Sequence, residues 1–187
     1  LKAILNYIKT EVDNVIHIPY YICHSVVDAC LHQGFQVQFY ELTEKFILSH
    51  EYISTIKKNQ VLLTVNYFGF IDVNIIIQNI KALRPDITII SDQVQSFWTY
   101  DKSEADYSFT SLRKHFAIPG GALVYAKNKA INFNQNILEA QFLKDKIIGS
   151  ILKYLQLPDK VYLNFLEKGE MKLNNEKEIS KASVLLY

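Results

Sequence analysis

The chain has 187 residues, 49% of them hydrophobic, and a formal net charge of +1 from 20 basic and 19 acidic side chains. That length suits one well-buried α/β domain with a small helical appendage, and the apolar content is that of a packed core rather than of disorder. The balanced charge, with no basic run, gives no footprint for nucleic acid, and apolar stretches such as Val61 to Val65 are too short to span a bilayer.

Leu1 to Glu11 reads as a helix with Leu1, Ile4, Leu5 and Ile8 on one face. A turn over Val12 to Asn14 leads into a short buried strand, Val15 to Ile18. Pro19 is expected to open the next helix, because a first-turn position wastes no N–H there. That helix runs to about Gln33 and stops at Gly34. Cys23 and Cys30 lie seven residues apart on it, about 10 Å, which is beyond disulfide reach, so both are expected in the core. Without a disulfide or a signal peptide, the setting is read as cytoplasmic.

Phe35 to Tyr40 alternates as a strand does. Ser49 caps a helix lasting to Lys58, Gln60 to Asn66 is the next strand, and Asp72 caps a helix to about Leu83. Pro85 ends the turn into the apolar run Ile87 to Ser91. Strands alternating with helices call for right-handed βαβ units and a mainly parallel sheet. Beyond Asp92 come two strands close in sequence, Tyr107 to Phe109 and Ala122 to Tyr125, with Pro119-Gly120-Gly121 turning between them. From Ala130 to Leu157 the period is helical, Pro158-Asp159 breaks it, and a second helix covers about Lys160 to Lys172. Asn174 to Lys177 reads as a linker, and the tail beyond it as weakly anchored.

Asp92-Gln93-Val94-Gln95 after one buried strand, Ser108-Phe109 with Lys114 after the next, and the Gly120-Gly121 hairpin follow one another in a distinctive order. Ile18-Pro19-Tyr20-Tyr21 and the turn Asn66-Tyr67-Phe68-Gly69 precede them. This order resembles the fold-type I pyridoxal phosphate (PLP) enzymes, and most closely the DegT/DnrJ/EryC1/StrS sugar aminotransferases. The resemblance covers roughly residues 12 to 126. It implies a three-layer α/β/α fold with a mainly parallel mixed sheet, of the PLP-transferase large-domain type, followed by C-terminal helices. Residues 1–130 would form the PLP-binding core and residues 131–187 a partial small domain. The chain is expected to begin inside the helix that follows the family's phosphate-binding motif, and to end before the family's C-terminal domain is complete.

The resemblance also implies roles. Asp92 would hold the cofactor's pyridine nitrogen protonated through a charge-assisted hydrogen bond, and Gln95 would lie against the ring. Ser108 would sit near the phenolic oxygen, and Lys114 would carry the aldehyde as a Schiff base. Counted without gaps, the family's lysine slot falls on Arg113, whose permanently charged guanidinium cannot condense with an aldehyde, so Lys114 would be reached through a local bulge. His115 is adjacent, and a dehydratase branch of the family has histidine in that slot. Where the family stacks an aromatic ring on the cofactor this chain has Cys23, and Tyr21 or Tyr20 would substitute.

The implied partners are an amino donor, a keto acceptor such as a keto-sugar or nucleotide-sugar, and a second copy of the chain. The 12 tyrosines and 11 phenylalanines should then form exposed patches. A homologue of the same fold without transaminase activity is the alternative. A nucleotide-binding domain is weaker, since no Gly-x-Gly-x-x-Gly follows Val15 to Ile18, and there is no Gly-x-Ser-x-Gly and no histidine pair at metal-ligand spacing.

Overall fold

The central strands send alternate side chains to two apolar layers, and that alternation builds the architecture. In the computed structural model, which describes residues 1–98, 103–116, 118, 120–128, 141–175 and 184–186, the strands are β1 (Val15–Pro19), β2 (Gln36–Tyr40), β3 (Val61–Val65), β4 (Thr88–Asp92), β5 (Tyr107–Ser111), β6 (Ala122–Ala126) and β7 (Val184–Leu186). The helices are α1 (Lys2–Ile8), α2 (His24–His32), α3 (His50–Thr55), α4 (Val73–Leu83), α5 (Gln141–Tyr154) and α6 (Asp159–Asn175). By contact density the chain divides into two compact units. The first comprises Leu1–Ser111, Leu123–Phe133 and Leu186–Tyr187, and the second Leu112–Ala122 and Asn134–Leu185.

In the first unit the strand order is β2-β1-β3-β4-β5-β6. β1 pairs in parallel with β2 and β3, β3 with β4, and β4 with β5. Lys127 N–H donates to the Asp106 carbonyl at one end of the last two strands and Leu112 N–H to the Gly121 carbonyl at the other. Those two bonds give β5 and β6 the constant-sum register of an antiparallel hairpin, so the sheet is mainly parallel and mixed.

One apolar layer contains Ile4, Leu5 and Ile8 of α1 and Cys30 of α2 over Ile16, Ile18, Val61, Leu63, Ile90, Tyr107 and Phe109. The other sets Ile53 of α3 and Val73, Ile77 and Ile80 of α4 against Leu62, Ile87 and Ile89. The unit is therefore a helix–sheet–helix sandwich. Each fully buried aliphatic side chain contributes about 2 kcal/mol before the entropy of ordering it. β3 and β4 are buried on both faces, as inner parallel strands must be. β2 lies at the sheet edge and leaves Phe39 exposed while Tyr40 turns inward.

Capping agrees with the sequence at two helices: the Ser49 side chain accepts from Tyr52 N–H, and the Asp72 side chain from Asn74 N–H. Three expectations need correction. Pro19 does not open a helix. It closes β1, the next N–H (Tyr20) still bonds to the Tyr40 carbonyl, and α2 begins only at His24, behind Cys23. A missing N–H is tolerated at a strand end as readily as in a first helical turn. Cys23, displaced to that helix start, is exposed; only Cys30 is in the core, where burial pushes its thiol up to about 12. α3 ends at Thr55 rather than Lys58, because Ile56 returns to an extended backbone to fill the second layer.

In the second unit α5 and α6 form an antiparallel hairpin. They cross at Gly149, where an added Cβ would stand 2.8 Å from Leu166 Cδ2 and 3.1 Å from its backbone nitrogen. A turn of 3₁₀ helix, Leu112–Lys114, belongs to this unit. Pro119, residues 130–140, and the tail of residues 176–183 with Tyr187 lie outside the described residues. Among the described residues no helix is long and apolar enough to cross a membrane.

Candidate functional site

Asp92 is the last residue of β4, buried to 7% exposure where an apolar strand emerges at its carboxyl end. Its Oδ1 accepts from Val94 N–H at 2.9 Å, and its carbonyl accepts from Asn66 N–H at 3.0 Å. Register sets it beside Phe109, two residues past Ile90, and so on the face covered by α1 and α2. Leu1, just ahead of α1, packs against the same layer. Tyr67 is buried on the same side. Its phenol donates to the Tyr21 carbonyl at 2.5 Å and is pushed well above the usual phenol range by burial, with Asp92, Tyr21 and Cys23 adding to the shift.

Gln95 lies in the turn after β4 and accepts Phe68 N–H on Oε1 at 2.8 Å. That bond ties the Asn66–Gly69 turn to the Asp92–Ser96 turn. Gly69 closes the approach: its φ is +70°, and a Cβ there would sit 3.3 Å from the Gln95 carbonyl. Tyr21 is exposed, with its ring centroid 5.7 Å from that of Tyr67.

Ser108 is fully buried in register with Ser91, and both flanking residues, Tyr107 and Phe109, point into the α1/α2 layer. Ser108 therefore faces the opposite side of the sheet from Asp92.

The sequence reading passed over the residue that organises the other face. Gln93 is 1% exposed; its Nε2 donates to Ser91 Oγ at 2.8 Å, and its Oε1 accepts from Asn66 Nδ2 at 3.1 Å and from Ser96 Oγ. Its backbone bonds to Phe109 and Thr110. A glutamine directly after an apolar strand was the available signal. Asn66 is itself buried, and among the described residues its Oδ1 has no donor. An orphaned buried acceptor of this kind costs stability unless a ligand or water supplies the missing hydrogen.

An aromatic patch flanks these turns. Tyr21, Phe46, Tyr67, Phe68 and Phe70 follow one another with centroid separations of 5.5 to 6.4 Å, and Phe70 is 90% exposed. Phe46 and Phe68 hold φ at +56° and +58°, where a bulky side chain is a true outlier. Such strain persists only where neighbouring contacts over-determine it, as the Gln95 bond does for Phe68.

Lys114 belongs to the second unit, at the end of the 3₁₀ turn, with its side chain exposed. Arg113 beside it bonds through Nη1 to Glu170 Oε1 of α6, the same oxygen that receives Lys146 Nζ of α5. Lys172 pairs with Asp145 at 2.6 Å nearby, and Asp145 and Lys146 are both nearly buried. Among the described residues no three His, Cys, Asp or Glu side chains are grouped to hold a metal.

Similarity to solved structures covers about three fifths to two thirds of the chain. A sphingosine-1-phosphate lyase of Burkholderia pseudomallei matches with a TM-score of 0.50 at 17% identity, over 65% of this chain and 34% of its own. A Streptococcus pneumoniae protein described as a sugar aminotransferase, in its PLP form, gives 0.47 at 15% over 59% and 35%. The ureidoglycine–glyoxylate aminotransferase of Bacillus subtilis gives 0.47 at 18% over 65% and 34%. This chain thus spans about a third of the length of each. No family model matches the chain, and no curated protein matches it. The shared feature is the α/β fold.

Proposed function

We propose that this chain is the cofactor-binding part of a PLP-dependent aminotransferase. The observation that carries the reading is Asp92, a buried carboxylate at the carboxyl end of an inner parallel strand, which is where open α/β sheets bind ligands. PLP, when bound, supplies an aldehyde to a lysine and a protonated ring that takes up electron density from the substrate carbon.

The residues of the first unit fit such a group. A carboxylate that Val94 N–H already orients can accept the ring N–H, and burial strengthens that charge-assisted bond. The orphaned Asn66 Oδ1 offers a further acceptor, Gln95 a side-chain amide, and the Tyr21 ring an exposed face. In this reading Lys114 is the amine that holds the cofactor and moves the substrate's proton, the acceptor is a keto-sugar or related small molecule, and the setting is cytoplasmic. In the same reading Ser108 stays near the cofactor's phenolic oxygen as an expectation for the borohydride-trapped complex, approached from the other face of the sheet.

A second reading, a protein of this fold without transaminase activity, is favoured by one observation: the ungapped lysine position holds Arg113, and Arg113 is bound to Glu170. One experiment separates the two. The intact protein is incubated with PLP, reduced with borohydride and mapped by mass spectrometry. A phosphopyridoxyl label on Lys114, lost in Lys114→Ala, supports the first reading; a label on another lysine overturns the site, and no label favours the second.

A further inference from the structure

We propose that Arg113 is a positioning residue: its ion pair with Glu170 fastens the turn carrying Lys114 to the α5–α6 hairpin and so sets where the Lys114 amine can go. The proposal rests on the reading of Lys114 as the cofactor-bearing lysine, and all its contacts lie within the second unit.

The turn is closed by its own backbone. Leu112 N–H bonds to the Gly121 carbonyl at 3.0 Å, and His115 and Phe116 N–H return to the Leu112 carbonyl at 3.0 and 2.9 Å. Those bonds close the backbone over Arg113 and Lys114, and the Arg113 side chain then ties the closed turn to the hairpin. Arg113 reaches α6 and bonds to Glu170. Glu170 in turn is held from α5 by Lys146, a residue only 7% exposed whose charge would lose its partner if the carboxylate moved away. Lys172 with Asp145 makes a second charged tie across the same hairpin. Burial works to raise the Glu170 carboxyl, but Lys146 and Arg113 hold it below its ordinary range, so the anchor stays ionised.

Successive side chains on a 3₁₀ turn point about 120° apart. With Arg113 pinned on α6, Lys114 is directed away from the hairpin and remains exposed. The arrangement also gives the one-residue offset a use. The guanidinium in the ungapped position cannot condense with an aldehyde, and it serves as the bolt that orients its neighbour.

The test uses the intact protein with Arg113→Gln, which leaves the Lys146–Glu170 pair and the hairpin in place, and Arg113→Lys, which keeps the charge. Amide hydrogen exchange is read on the peptide covering residues 112 to 118, with α5 and α6 as internal controls, and borohydride-trapped PLP is read on Lys114. Arg113→Gln should speed exchange in the turn about threefold with the hairpin unchanged, and lower Lys114 labelling about twofold, as befits a partly exposed ion pair. Arg113→Lys should restore the protection. Unchanged exchange in Arg113→Gln overturns the proposal, and so does faster exchange with undiminished Lys114 labelling. If the unsubstituted protein takes no label, the cofactor reading fails, and the exchange result alone then decides whether the clamp exists.

Discussion

Gln93 shows how much one buried amide can organise. It serves Asn66, Ser91 and Ser96 at once, so Gln93→Ala would take a partner from the buried side chains of Asn66 and Ser91. Unmet buried groups cost about 1–3 kcal/mol each, and a loss of about 3 kcal/mol, read as a lower urea midpoint at constant slope, is expected. His17 is the second such residue. Its Nδ1 lies 2.9 Å from Tyr52 Oη and its Nε2 2.9 Å from Gln60 Oε1. Burial lowers its pKa below the ordinary value of 6.5, with the Gln60 bond opposing. The folded state therefore binds fewer protons than the unfolded chain in that window, and the His17 contribution, present above pH 6.5, is lost as pH falls toward the folded pKa. Urea unfolding from pH 7.5 to 5 should show that slope, and His17→Gln should flatten it; an unchanged slope would exclude His17 as its source.

Among the elements, Gly149 tests packing against propensity. Alanine in a helix interior is normally worth about 1 kcal/mol over glycine, yet here its Cβ would press on Leu166, backbone included, at the α5–α6 crossing. Overpacking of that kind costs about 1–3 kcal/mol. Gly149→Ala should therefore destabilise the hairpin, and trimming Leu166 to alanine in the same chain should recover part of the loss, both read by thermal melting. A higher melting temperature for Gly149→Ala alone would mean that the helices stand further apart.

The elements also mark what the sequence could reveal. β3 and β4 were legible because inner parallel strands are apolar on both faces, and Ser49 and Asp72 because caps are local chemistry. Pro19 was misread because its preferred φ suits a strand end as well as a helix start. Asp92 was legible as an acid ending an apolar run. The far-facing Ser108 depended on register, and the Arg113–Glu170 pair joins residues 57 apart in sequence, which no local pattern encodes.

For the molecule as a whole, the aromatic patch argues for a partner. Tyr21, Phe46, Phe68 and Phe70 together expose roughly 400–600 Å² of ring surface, at the upper end of what a monomer leaves bare. That is most of the apolar centre of a standard interface, about 800 Å² a side. The homodimer that goes with the proposed function should bury it. Sedimentation of the intact protein should show a concentration-dependent dimer that Phe70→Glu weakens by tenfold or more, on the order of 1.4 kcal/mol. A clean monomer across micromolar concentrations would rule this interface out.

The strand order has a consequence for how the chain is made. From β1 and β2 onward, β3, β4, β5 and β6 each lie on the same growing edge in the order in which a ribosome would deliver them. Among the described residues no strand has to be threaded between two neighbours already in place. Each newly made strand would then meet an edge that could already be formed, an order that should limit wrong pairing during synthesis.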